Sequence, residues 1–349
     1  MLTKEDAKMS QGLAIIAMVT LHLFCRRDVD LYNVHVFIGN TPLLYYIGLF
    51  GDICVPIYCF SSGYAQMVLY KKEENYRNKR IKRLKRFIFH FWLVVVLFSF
   101  IGLMIGNKEI PGDLMTFLGN ISLLRMNYNG AWWFVLTYVF LILLSPTLIN
   151  IVEKNNYLVC FLVSGIIYFV SYIFRFVFII EVSNPIFAWI WQQGILLGTS
   201  QFGFIIGILF FKYKTIDFLN ETLENMSICK WIIVIIPIIM FLFHCVIQSL
   251  VVAPITGIIT VTCFHLWEKP ECVKKFFRFL GNHSTNIWLT HMFFYLNLFE
   301  GLVFKIKEPI LILSLTLGIC ILVSYLIDFV QKQIILVLNI TYVSRKNYE

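Results

Sequence analysis

Charge is scarce in this chain. Asp, Glu, Lys and Arg together make up 14% of its 349 residues, about half the share of a soluble globular domain, which excludes an ordinary water-soluble enzyme. The apolar runs hold almost no carboxylates, Asp52 near a helix start being the main exception. A chain so poor in embedded acids lacks the usual means of coupling transport to ions. Long polar stretches are missing too. The longest, 26–42, 107–130 and 212–229, are too short to bury cores of their own, so a single membrane-embedded domain over 1–349 is expected, with no separate soluble domain. The nine cysteines include no CxxC pair, are odd in number and lie mostly in apolar runs, so they read as buried thiols and exclude a disulfide frame. His244-Cys245 and Cys263-x-His265 have metal-ligand chemistry without a recognised zinc spacing, and no metal is expected. No small-residue cleavage site follows the first apolar run, which is expected to stay as a membrane helix. Fixed-period repeats and low-complexity tracts are absent, which weakens a transporter built from inverted repeats.

What the chain has is apolar length. Hydrophobic residues make up 59% and aromatics 17%, with 34 Phe. Runs of the length that crosses a bilayer fall near 9–25, 43–70, 87–106, 131–151, 157–180, 186–211, 230–249, 251–267, 284–303 and 309–331. They predict an all-α polytopic membrane bundle of about ten transmembrane helices, placed as a multi-pass protein in the plasma (cytoplasmic) membrane. The net charge of +9 suggests no nucleic-acid partner, because the basic residues sit in short segments between the runs, where they set topology. Lys71, Lys72, Arg77, Lys79, Arg80, Lys82, Arg83, Lys85 and Arg86 crowd one such segment against Glu73 and Glu74. That segment is predicted to be cytoplasmic, together with Lys212, Lys214 and Lys230, then Lys269, Lys274, Lys275 and Arg278, then Arg345 and Lys346. Both termini are then cytoplasmic. Arg26 and Arg27, partly offset by Asp28 and Asp30, fall outside against the rule and invite a functional explanation.

The first run carries an imidazole, His22, roughly 21 Å along a helix counted from Lys8. Gln11, eleven residues earlier, returns to nearly the same face. An imidazole at that depth is costly unless it faces the bundle interior and finds a partner. Two readings stand: a histidine bonded to a neighbouring helix, or a reactive group.

Several segments in order give the chain a resemblance. Gly12-Leu13-Ala14-Ile15-Ile16 followed by His22, then Val55-Pro56-Ile57-Tyr58-Cys59-Phe60-Ser61-Ser62-Gly63-Tyr64, then Arg80-Ile81-Lys82-Arg83-Leu84 together resemble the acyltransferase-3 family of integral-membrane O-acyltransferases. Ala131-Trp132-Trp133-Phe134 is similar to that family's Trp-Phe helix start. Leu280-Gly281-Asn282-His283-Ser284 with Ile287-Trp288-Leu289-Thr290-His291 is similar to its Leu-Gly-x-x-Ser and Tyr-Leu-x-His segment. Two positions depart. Gln11 stands where the family has Lys or Arg, which leaves nearby Lys8 as a substitute cation, and Trp288 replaces the commoner Tyr.

The resemblance implies transfer of an acyl group, most often acetyl, from cytoplasmic acyl-CoA to a hydroxyl of a cell-envelope or exported polysaccharide. His22 would be the general base, suited by a pKa near neutrality. Arg80, Arg83 and Arg86 recur every three residues and would hold the phosphates of acetyl-CoA or another acyl-CoA as co-substrate, with Gln11 also on the donor side; the plainer reading is that they are topology anchors. Trp132 and Trp133 read either as interfacial belt aromatics or as a glycan platform, Ser284 as acceptor or cavity lining, and His291 as bonded either to the cavity or merely to a neighbouring helix. Ser62-Gly63-Tyr64 reads as a site of close helix approach, against the alternative that Ser61, Ser62 or Cys59 lines the cavity for an acyl-enzyme route. The expected partners are acyl-CoA, a glycan or lipid-linked oligosaccharide acceptor and membrane lipid, with the oligomeric state open. The competing class is a transporter or polymerase of lipid-linked glycans. The charge pattern is tested by single cysteines introduced between 71 and 86: an impermeant thiol reagent should label them from the cytoplasmic face only, and labelling from outside would invert the whole scheme.

Overall fold

The computed structural model describes residues 1–27, 30–225, 231–299 and 301–346. Asp28, Cys229 and Lys230, used in the charge and cysteine readings, lie outside these, as do the side chains of Arg345 and Lys346. Among the described residues the protein is all-α apart from one hairpin of two-residue strands. Its helices are α1 (Lys4–Phe24), α2 (Leu43–Phe50), α3 (Cys54–Lys72), α4 (Tyr76–Met104), α5 (Leu114–Ile121), α6 (Trp133–Lys154), α7 (Tyr157–Phe176), α8 (Pro185–Lys212), α9 (Thr215–Asn225), α10 (Ile232–Val246), α11 (Ala253–Leu266), α12 (Glu271–Met292) and α13 (Pro309–Lys346). In the hairpin Phe37 faces Pro42 and Ile38 faces Thr41, turned by Gly39 at φ +60°, a conformation open to glycine.

Among the described residues seven helices are long and apolar enough to cross a membrane: Lys4–Phe24, Leu43–Lys72, Tyr76–Met104, Gly130–Lys154, Tyr157–Phe176, Pro185–Lys212 and Pro309–Val337. The other three apolar runs differ for physical reasons. α10 and α11 have 15 and 14 residues, which at ~1.5 Å per residue falls short of a core of about 30 Å. The run expected at 284–303 becomes the end of a helix that starts at Glu271, carries Lys274, Lys275 and Arg278 in its first half, and closes in a π turn, Phe293–Asn297.

The chain forms two compact units. One holds Met1–Asp30, Val34–Arg80 and Phe134–Ser284; the other holds Leu31–Asn33, Ile81–Trp133 and Thr285–Glu349. In the first, glycines bring backbones into contact. A Cβ on Gly12 would collide with the Phe277 carbonyl, and one on Gly281 with the Lys8 carbonyl, so α1 and the start of α12 cross without side chains between them. Gly63 meets Phe204 and Gly207 meets Phe60 in the same way, joining α3 to α8, as read from Ser62-Gly63 in the sequence. The Lys212 ammonium at the end of α8 donates to the carbonyls of Val152 (2.6 Å) and Asn155 (3.0 Å) at the end of α6, satisfying acceptors that no further helical turn supplies.

The second unit is tied by tryptophans. Trp132 Nε1–H donates to the Leu289 carbonyl and Trp288 Nε1–H to the Ala131 carbonyl, each at 3.0 Å. Asn129 adds a bond to the Leu289 carbonyl at 3.0 Å. Gly281→Val should drive α1 and α12 apart and lower stability by about 1–3 kcal/mol, whereas Gly318→Ala, with open space around it, should change the melting temperature in detergent little; equal melting of the two would show that the close crossing bears no load.

Candidate functional site

His22 sits in the last turn of α1, half-buried. The segment before α3 packs on the same end of α1. Gly48 lies against the backbone of Phe24 and Cys25, and Gly51 against Ala17 and Leu21, so this segment is pressed on α1 on both sides of the His22 position. Gln11 is half-buried on the same helix. Beside it, Ser10 Oγ lies 2.8 Å from His265 Nε2 of α11, and Lys8 Nζ donates to the Gly281 carbonyl at 3.3 Å. Lys8, the substitute cation proposed for Gln11, is thus turned toward α12. Ser284, also in this unit, donates Oγ–H to the Gly281 carbonyl at 2.9 Å and is buried. Lys269, one of the expected topology anchors, is buried just past α11, with its ammonium bonded to the carbonyls of Phe264 and Trp267 and 4.4 Å from the Phe264 ring centre. Burial pushes its pKa down to about 8.

Arg80 separates from its two neighbours in the motif. Arg83 and Arg86 are exposed on α4, but Arg80 is only 6% exposed. Its Nη1 donates to the carbonyls of Ile142 (3.1 Å) and Leu143 (3.0 Å) in α6. The reason is Pro146, inside α6: proline has no N–H, so the Ile142 carbonyl four residues back loses its helical donor. Arg80 supplies one. Ser145 Oγ–H also reaches the Ile142 carbonyl at 2.8 Å, and the Tyr76 hydroxyl lies 2.6 Å from Ser145 Oγ and 3.0 Å from Gln66 Oε1. Arg80 Nε remains buried without a partner.

In the second unit, Trp132 is wholly buried, its ring against Phe91 at 5.0 Å and Phe293 at 5.8 Å. This overturns the belt reading for Trp132, since an interfacial aromatic keeps an exposed edge. Trp133 is half-buried. His291 is wholly buried, with Nδ1 2.9 Å from the Trp288 carbonyl and 3.1 Å from that of Ile287, the preceding turn of its own helix.

One pair was not legible in the sequence. Asp52, in the 3-10 turn Gly51–Ile53, faces His244 of α10: Nε2 lies 3.0 and 2.9 Å from the two carboxylate oxygens. Both side chains are 1% exposed. His244, weighed in the sequence as a metal ligand by type, thus has a carboxylate for its partner.

A family model described as an acyltransferase domain, Acyl_transf_3, matches residues 9–329. No curated protein and no solved structure matches the chain.

The proline account of Arg80 has a direct test. Arg80→Ala takes a buried charged donor from the Ile142 and Leu143 carbonyls, leaving Ile142 with Ser145 Oγ–H alone, and should cost about 1–3 kcal/mol in stability, while Arg83→Ala, at the surface, should stay within about 0.5 kcal/mol. Adding Pro146→Ala restores the missing N–H and should recover part of the loss. Equal melting curves for Arg80→Ala and Arg83→Ala would refute the account.

Proposed function

The chain belongs to the Acyl_transf_3 family of acyltransferase domains, and from that premise we propose that it is an O-acyltransferase of the plasma membrane, moving an acyl group, most simply acetyl, from cytoplasmic acyl-CoA to a hydroxyl of a cell-envelope or exported glycan. The observation that carries this reading is the match over residues 9–329, which takes in the His22 helix and the basic segment that opens α4. It favours an enzyme over a transporter or polymerase of lipid-linked glycans.

In the proposed reaction His22 takes the proton of the acceptor hydroxyl as its oxygen attacks the thioester carbonyl. The tetrahedral intermediate collapses with cleavage of the carbon–sulfur bond, and the imidazolium returns its proton to the departing thiolate. The products are the ester and free coenzyme A, with no net proton change. Arg83 and Arg86, exposed within three turns of the start of α4, serve as phosphate contacts for the donor, where guanidinium groups bind bidentately. Arg80 acts at one remove, by holding α6 to α4 at Pro146.

The experiment is acyl-CoA consumption by membranes carrying the protein, with and without glycan extracted from the source cells. Wild type should consume donor only with the extract present. His22→Ala should lose transfer by on the order of a hundredfold or more with normal insertion, and His22→Gln, which bonds but takes no proton at neutral pH, should be equally inactive. Arg83→Ala should raise the donor requirement about tenfold with unchanged acceptor dependence. An active glutamine variant would reduce His22 to positioning, and acyl-CoA consumption indifferent to the extract would remove the glycan acceptor.

A further inference from the structure

Between α7, α8 and α11 lies a cavity of about 690 Å³ that the acyl-transfer reading does not use. Phe202, Ile206 and Phe210, a stripe of α8 at a spacing of four residues, line it and are almost fully buried. Gly165 of α7 faces them. A Cβ there would only touch the Phe202 ring, at 3.7 Å, so glycine keeps open a space that a larger side chain would fill. Leu162 and Ile166 at the rim are exposed, and because α7 and α8 are both long and apolar enough to cross a membrane, the medium at that rim is lipid. The lining is apolar apart from two tyrosines, and the Tyr168 hydroxyl is already donated to the carbonyls of Leu250 (2.9 Å) and Val251 (3.2 Å). A sugar or a pantetheine arm would leave its own hydroxyls or amides without partners here. A hydrocarbon chain would leave none.

The two ends of the cavity differ. At one, the Tyr168 bonds tie α7 to the segment before α11 and bring the walls together. At the other stands Tyr157, edge-on to Tyr213 at 5.5 Å. Lys214, next to Tyr213, and Lys154, three residues before Tyr157, are exposed there, beside Lys212 with its ammonium on the end of α6. The acids close to them in sequence are already paired, Glu153 with Lys71 at 3.0 Å and Asp217 with the N-terminal ammonium at 2.5 Å. This mouth therefore carries net positive charge. From Tyr157 to Tyr168 a helix rises about 16 Å, the depth of one leaflet in a hydrocarbon core of about 30 Å. By the charge pattern the leaflet is the cytoplasmic one, whose surface is negative.

We propose that this cavity holds one acyl chain of an anionic glycerophospholipid, with its phosphate at Lys154 and Lys214 and the end of the chain beside Tyr168. The charge of the mouth selects the anionic headgroup, and a volume in the range of about 300–1,000 Å³ typical of a single small ligand selects one chain. The lipid's second chain stays in the bilayer. Among its described residues α7 buries only Cys160 and Ser164, so the bound chain gives this helix a packing partner that the protein itself supplies sparingly. No bond is made or broken at the site, and it stands apart from acyl transfer.

The probe is phosphatidylglycerol with a photoreactive diazirine near the end of one chain, compared with phosphatidylcholine of the same chains, each as a trace in phosphatidylcholine bilayers holding the full-length protein. Adducts are located by peptide mass. In wild type the phosphatidylglycerol probe should label 165–170 and 251–259 about tenfold or more above the phosphatidylcholine probe. The outer face of α13, where Leu322, Leu326 and Phe329 are exposed, should label equally with both, as bulk lipid does. Lys154→Ala with Lys214→Ala should bring the two probes to the same yield in the cavity. Gly165→Leu, a change that favours the helix, should insert normally and lower cavity labelling by both probes about tenfold, with α13 unchanged. Equal yields from the two headgroups in wild type would overturn the anionic occupant. Cavity labelling no stronger than that of α13, or unaltered by Gly165→Leu, would reduce the cavity to ordinary lipid-facing surface and overturn the site. Loss of the phosphatidylglycerol adducts to an equimolar polyprenyl phosphate would assign the cavity to another lipid and overturn the proposal as well.

Discussion

The backbone of α1 lies in direct contact with other backbone on two sides, and the first unit is built on that. Gly12 and Gly281 let α1 and α12 meet without side chains between them, and Gly48 and Gly51 let the segment before α3 lie flat on the other end of α1. In hydrocarbon no hydrophobic drive holds helices together, because lipid tails are as apolar as leucine; close packing and internal hydrogen bonds must do so. The glycines set the distances, and so set where His22, Ser10 and Asp52 stand.

The polar groups of the interior follow a second rule, that a buried donor or acceptor needs a partner. Proline removes a donor from α6 and Arg80 supplies one from α4. Trp132 and Trp288 each donate to the carbonyl of a residue beside the other, which gives two motif segments a shared structural role in the second unit. Lys212 and Lys269 spend their ammonium groups on helix-end carbonyls. Cations that a topology rule counts as loop anchors are, at these positions, parts of the interior wiring.

The division between what the sequence reveals and what it conceals follows the range of the interaction. Membrane runs are local and uncompensated by anything distant, so the seven long spans, the all-α class and the packing role of Ser62-Gly63 were readable. The shortness of α10 and α11 was not, because a run of apolar residues continues past a helix end without changing composition; nor was the early start of α12, because a charged helical half has no hydropathy signal. Arg80 and Pro146 bear on each other across α4 and α6, and no spacing rule connects them. Asp52 and His244 stand 192 residues apart. The one hint available was that Asp52 is an acid in an apolar stretch, which demands a partner somewhere without saying where.

α10 holds to the rest of its unit with little besides His244 at full burial. Selection then acts on that position and on overall greasiness, and leaves the order of its isoleucines, leucines and phenylalanines almost free. Such a helix accumulates neutral exchanges faster than the glycine-locked ones, so among related chains it would be the first segment to lose alignable sequence while keeping its place in the architecture.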